Sequence, residues 1–138
     1  VIESLLLTAA QITTFNGQQS LTNASGFYFE RDGKLFLVTS RHVVYDEGSR
    51  HFPDRIEIEL HITIKDLSQS TRFSIPLYRK ARSVWRDGID SAGSVDVAMI
   101  EIDRKALPES VVYRAFMPRH LSDSFDNIEA GASLLVVG

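Results

Sequence analysis

The chain has 138 residues, 43% of them hydrophobic and 24% charged, enough for one domain with its own core. A net charge of −3 gives no support for a nucleic-acid or other polyanionic partner. The absence of cysteine excludes a disulfide scaffold, a thiolate zinc site and a cysteine nucleophile, and no apolar stretch is long enough to suggest a membrane partner.

The chain opens on Val1 rather than Met, which reads as a processed product or a cut piece of a longer protein. It shows neither the basic start nor the long apolar run of a secretory signal. A cysteine-free composition fits a cytosolic or a bacterial exported protein.

Leu5 to Phe15 reads as a first strand, ending at the turn signal Asn16-Gly17, and Gln18 to Asn23 reads as a polar loop. Ser25 to Glu30 reads as a second strand. The Asp-Gly pair in Arg31-Asp32-Gly33-Lys34 marks a tight hairpin, with Leu35 to Val38 returning beside it. Leu, Phe and Val occupy both faces of that returning strand, as in a strand buried on both sides.

The run ends in Thr39-Ser40-Arg41-His42-Val43-Val44. A histidine just past a buried strand can be fixed by the scaffold, and an imidazole exchanges protons near neutral pH. The bland alternative is a histidine in an ordinary turn.

Asp46 to Asp54 reads as a polar loop. Ile56, Ile58, Leu60, Ile62 and Ile64 then alternate with Glu57, Glu59, His61 and Thr63, the period of a strand with one face in the core. Leu67 to Ser70 reads as a loop. Phe73, Ile75 and Leu77 alternate again, and Pro76 puts that strand at an edge or at its end. Tyr78 to Trp85 reads as one short strand, with Trp85 packed in the core or at the end of the barrel. Asp87 to Ser94 reads as a loop, and Val97 to Ile102 as a central strand. One helical turn is expected within Lys105 to Tyr113. Pro118 to Ala130 is irregular and polar, and Gly131 to Gly138 starts a further apolar strand.

About six strands with no long helix predict an all-β fold, a small antiparallel barrel or sandwich. A chain ending on Leu134-Leu135-Val136-Val137 would leave an exposed edge, so the expectation is a cut inside a larger protein.

Asp96 is the second chemical candidate. A carboxylate at the start of an apolar strand is partly buried, which is costly without a donor, and an imidazole N–H is a suitable donor. The bland alternative is an aspartate in a turn before a strand. Gly26, opening a strand, allows close backbone approach. His42, Asp46, Glu47, His51 and His61 fall in one region, but their spacing matches no zinc motif, and His61 lies on the polar face of its strand. Arg41, Arg50 and Arg55 flank the histidine loop and read either as a peptide contact or as a solvated face.

Ser25-Gly26-Phe27, then Leu37-Val38-Thr39-Ser40-Arg41-His42-Val43-Val44, then Asp96-Val97-Ala98-Met99-Ile100, resemble in order the first half of a bacterial trypsin-like serine peptidase. That family carries a Gly-Ser/Thr-Gly-Phe strand, a Leu-Val-Thr-x-x-His-Val-Val segment and an Asp-x-Ala-x-Ile strand. The motifs span residues 24 to 102. Ala24 departs from the glycine of the pattern, and the long stretch between His42 and Asp96 implies extended loops or hairpins. The resemblance implies a six-stranded antiparallel β-barrel over residues 1–117, and a linker plus the first strand of a second barrel over 118–138.

It also implies roles. His42 would be the general base, its Nε2 taking the proton of an attacking serine and passing it to the leaving amine. Asp96 would accept the Nδ1–H of His42, fix the tautomer and stabilise the imidazolium. The family's serine sits in a Gly-x-Ser-Gly-Gly segment of the second barrel, and no serine here has that setting: Ser94 lacks the glycines, and Ser133 lies inside the last strand. The oxyanion hole and specificity pocket lie on the same absent barrel. The expected partners are a peptide or protein substrate and that second barrel, with no cofactor and no metal. The chain alone is expected to be inactive. The alternative is a peptidase-fold module without catalysis, kept for binding or regulation.

Overall fold

The computed structural model describes residues 7–62, 69–90 and 93–118. Among these residues nine strands follow one another: β1 (Ala9–Asn16), β2 (Gln19–Arg31), β3 (Lys34–Thr39), β4 (Arg55–His61), β5 (Ser70–Pro76), β6 (Tyr78–Arg79), β7 (Arg82–Ser83), β8 (Trp85–Asp90) and β9 (Gly93–Ile102). A four-residue helix, α1 (Arg41–Val44), leaves the end of β3, and a 3-10 turn covers Arg104–Ala106. The fold is all-β and antiparallel, as the alternating patterns require.

Seven strands form one sheet in the order β5-β4-β1-β2-β3-β9-β8, and β6 pairs only with β7. The closed six-stranded barrel expected from the sequence is not shown: among the described residues the sheet has seven strands and is open, with β5 and β8 as its edges. Those edges are successive passages of the chain. Between them the β6–β7 hairpin leaves and returns, and the Val84 N–H donates to the Leu77 carbonyl at 2.9 Å across its base.

The buried residues nonetheless make one cluster. Ala10 and Ile12 of β1, Leu35 and Leu37 of β3, Ile56 and Ile58 of β4, Ile75 of β5 and Ile100 of β9 all belong to it, with Val43, Val44 and Leu77 added from outside the strands. Strands far apart in the sheet order share a core, so the sheet curls over its own face, as a twisted antiparallel sheet does. On β3, Leu35, Leu37 and Thr39 are buried while Phe36 and Val38 are half-buried. The strand is therefore not sealed on both faces.

Two stretches that the sequence predicts as loops are strand. Gln19 to Asn23, read as loop, extends β2, because β1 runs antiparallel beside it from Thr13–Asn23 to Asn16–Gln19. Asp87 to Asp90 and Gly93–Ser94, read as loop, are strand in β8 and β9 and pair with one another. In both places β-poor residues are carried by a neighbouring strand that supplies the ladder, a tertiary effect that local propensity does not contain. Tyr78 to Ser83, expected as part of one strand, is a two-stranded hairpin. Ile64, the Leu67 loop and the stretch from 119 to 138 lie outside the described residues, and with them the expected second-barrel strand.

The Asp32-Gly33 hairpin forms as expected, with φ of 53° and 77° at its two central residues. Both are left-handed, which Asp and Gly tolerate and the twist of paired strands favours. Gly26 is fixed by space. A Cβ there would run into the Val38 carbonyl and crowd Ile12 Cδ1 and Thr39 Cβ at 3.2 Å each.

Candidate functional site

The site begins with strand register. On β3 and β9, Leu37 faces Ile100 and Thr39 faces Ala98. β3 ends at Thr39, and the chain turns at once into α1. Asp96 lies two residues before Ala98 on the antiparallel β9, so it comes level with the start of the helix. On the other side of β9, pairing with β8 jumps from Asp87–Ala98 to Gly88–Val95. Asp96 and Val97 thus have no partners on β8. An irregularity of this kind bends a strand and re-aims a side chain.

Asp96 binds the helix twice. Its Oδ1 accepts the backbone N–H of His42 at 2.9 Å, and its Oδ2 lies 2.6 Å from Nδ1 of the His42 ring. An ionised carboxylate only accepts, so Nδ1 carries the proton, and in the neutral ring it is then Nε2 that keeps the lone pair. Partial burial works against ionisation of Asp96. The hydrogen bonds from the His42 ring and backbone, with the imidazole charge, outweigh it and hold the carboxyl below the ordinary aspartate range. Both side chains remain more than half exposed, at 61% and 57%. Among the described residues no group bonds Nε2, so that nitrogen is the one left open for proton exchange.

The helix is held from three sides. Val43 and Val44 bury in the core. Arg41 Nε donates to Asp87 Oδ1 at 3.1 Å and its guanidinium lies over the Tyr45 ring. Behind the helix, the His51 ring lies 2.8 Å from the Val43 carbonyl. Beneath β3, the buried Thr39 hydroxyl donates to the Ser25 carbonyl at 2.9 Å, tying the strand under His42 to β2. A cleft of about 390 Å³ opens beside His42, between Thr22, Asn23 and Ala24 of β2 and the loop carrying Asp46 and His51.

The two candidates read from the sequence are therefore neighbours. The other candidates do not gather around a common point. Among the described residues no three His, Asp or Glu side chains converge on a common point. Asp46 accepts from Ser49, Glu47 from Tyr45 and the Val43 carbonyl from His51. Arg55 is remote from the histidine loop: it pairs with Glu57, donates to the Gly17 carbonyl and stacks over Phe15. Trp85 packs partly buried against the core, near Tyr45.

Two supporting residues were missed. Asp87, expected in a loop, lies inside β8, where it accepts from Arg41. His51 was considered only as a ligand. Its partner is the main-chain carbonyl of Val43, which no residue type in the sequence signals.

Comparison with known proteins finds no matching family model, no matching curated protein and no matching solved structure.

Proposed function

We propose that the chain is the part of a trypsin-like serine peptidase that carries the general base and its orienting carboxylate. The observation that supports this most is the double bond of Asp96 to His42, one oxygen on the ring Nδ1 and the other on the backbone N–H. A carboxylate in that position fixes the ring and its tautomer together, and leaves Nε2 to take a proton from a nucleophile. The order of the motifs, from the glycine strand through the histidine to the aspartate strand, supports the same reading.

In this reading β5 and β8 are two halves of one bent strand, interrupted by the β6–β7 hairpin. The sheet is then a six-stranded barrel in which that strand has been split. The nucleophilic serine, oxyanion hole and specificity pocket would come from chain outside these 138 residues. His42 accepts the serine proton as the Oγ attacks a carbonyl carbon. It then returns that proton to the departing amine, while Asp96 stabilises the imidazolium between the two steps.

The test is fluorophosphonate labelling of the longer natural protein, beside its His42→Ala and Asp96→Ala variants. The reagent modifies a serine that a neighbouring base activates. Labelling of the wild type, lost in both variants, is the expected result. A folded wild-type protein that does not label would overturn the reading in favour of a peptidase-like module kept for binding. The 138-residue chain alone is expected to leave peptide substrates intact, and His42-dependent turnover by it would be equally decisive against the proposal.

A further inference from the structure

Resting on that reading, we infer that His51 is a positioning residue for His42. It acts by donating a hydrogen bond to the Val43 carbonyl. A carbonyl only accepts, so the bond requires a proton on Nε2 of His51. That proton is present in the imidazolium and in one neutral tautomer, so the bond survives a change of charge.

The need for such a donor follows from the length of α1. A helix of four residues leaves its last carbonyls without partners inside the helix. The turn is closed by Tyr45 N–H on the Arg41 carbonyl at 3.0 Å and Val43 N–H on the Ser40 carbonyl at 3.1 Å. The Ser40 side chain does not cap it. The Val43 carbonyl belongs to the peptide immediately after the His42–Val43 link. Fixing its direction limits how far the backbone at His42 can rotate.

His51 is itself held for the task. The loop from Asp46 is closed by two backbone bonds between Asp46 and His51, of 3.0 and 2.8 Å. Arg50 adopts a left-handed φ of 55°, its N–H donates to the Glu47 carbonyl, and the Ser49 hydroxyl donates to Asp46 at 2.7 Å. The imidazole is thus delivered by a small braced turn. Asp96 grips His42 from the β9 side and His51 grips the next residue from the loop side.

The test uses the 138-residue chain and proton NMR. A ring Nδ1–H donated to a carboxylate gives a far-downfield resonance, recorded near freezing, where solvent exchange is slowed enough for a persistent bond to be seen even at this half-exposed pair. Wild type is expected to show it and Asp96→Asn to lose it. His51→Phe keeps the ring and removes the donor, and is expected to broaden the signal beyond detection in a chain that stays folded by circular dichroism. His51→Gln restores an N–H at similar reach and is expected to restore the signal. Should His51→Phe fail to fold, Ser49→Ala at the exposed loop carries the test, with broadening expected. A signal as sharp as wild type in His51→Phe, or in Ser49→Ala if that replaces it, overturns the inference. So does equal loss in His51→Phe and His51→Gln. A wild-type chain without the signal overturns the His42–Asp96 pairing as well, which separates the two failures.

Discussion

Thr39 on β3 faces Ala98 on β9, and this one pairing sets the distance between His42 and Asp96. A slip of one residue would turn every side chain of the strand to the opposite face. Leu35, Leu37, Ala98, Ile100 and Ile102 are all nearly inaccessible, so the core forbids the slip. The register that packs the core is the register that brings carboxylate to imidazole.

Asp96→Asn, made in a chain that also supplies the proposed serine, is the sharpest test of that relationship. An asparagine can still accept the His42 backbone N–H, but its amide NH2 would face Nδ1 and favour the wrong tautomer. If the pair serves a serine, turnover should fall by ~10⁴ with little loss of fold. Steady-state kinetics on a peptide substrate measures it, and a fall below tenfold would contradict the assigned role.

The same carboxylate gives a pH dependence of stability. Asp96 is held below the ordinary aspartate range in the folded chain, so the unfolded chain binds its proton more readily. Its contribution is fully present above the unfolded value of ~3.9 and is lost as pH falls through the lower folded value. Glu57, lowered chiefly by the hydrogen bond from Arg55, adds a term of the same sign. Urea midpoints measured from neutral pH downward should fall in wild type, and less steeply in Asp96→Asn. Parallel curves would show that the pair does not stabilise the fold.

Gly26→Ala should destabilise the chain by about 1–3 kcal/mol, the usual cost of overpacking. The added methyl meets the Val38 carbonyl, which belongs to the strand ladder and cannot swing aside as a side chain end could. Chemical denaturation of the two proteins measures the difference. Equal midpoints would mean that β2 and β3 separate more easily than their pairing implies.

Tyr28→Phe should leave stability unchanged or raise it. The ring is 2% exposed, and its hydroxyl has no hydrogen-bond partner among the described residues. Burial, with Tyr113 beside it, pushes the phenol up from its ordinary value. An unsatisfied buried hydroxyl costs roughly 1–3 kcal/mol, while the phenyl ring keeps the packing against Tyr113. A clear drop in melting temperature would reveal a partner for the hydroxyl.

Lys80 and Ala81, at the tip of the β6–β7 hairpin, both have left-handed φ, of 53° and 64°. A residue with a Cβ pays roughly 1–2 kcal/mol there. Ala81→Gly should therefore raise the melting temperature, and a lowered one would mean that the entropy lost by the glycine exceeds the strain relieved.

Much of this molecule was legible from its residues. Alternation over Ile56 to Leu60 gave β4 its face, and Asp32-Gly33 gave the first hairpin its turn. The His42 and Asp96 candidates stood out because each chemical group abuts an apolar strand. What was not legible depends on neighbours distant in sequence. Gln19 to Asn23 has no intrinsic strand signal and becomes strand because β1 continues beside it. Asp87 to Asp90 does so because β9 pairs back onto it. The β6–β7 hairpin between β5 and β8 was not legible either, because Tyr78 to Ser83 carries no residue that announces a turn. His51 escaped notice because its partner is a main-chain carbonyl, and main-chain partners have no letter in a sequence.

The hydrogen bond across the foot of the β6–β7 hairpin has a consequence for how such a chain can diversify. Leu77 is wholly buried and bonded to both Asp54 and Val84, so the core is complete at the point where the hairpin leaves. Whatever hangs beyond that point adds no layer to the interior. Insertions, deletions or grafted peptides between Arg79 and Arg82 can therefore change the outline of the molecule while α1 and β9, which carry His42 and Asp96, keep their places.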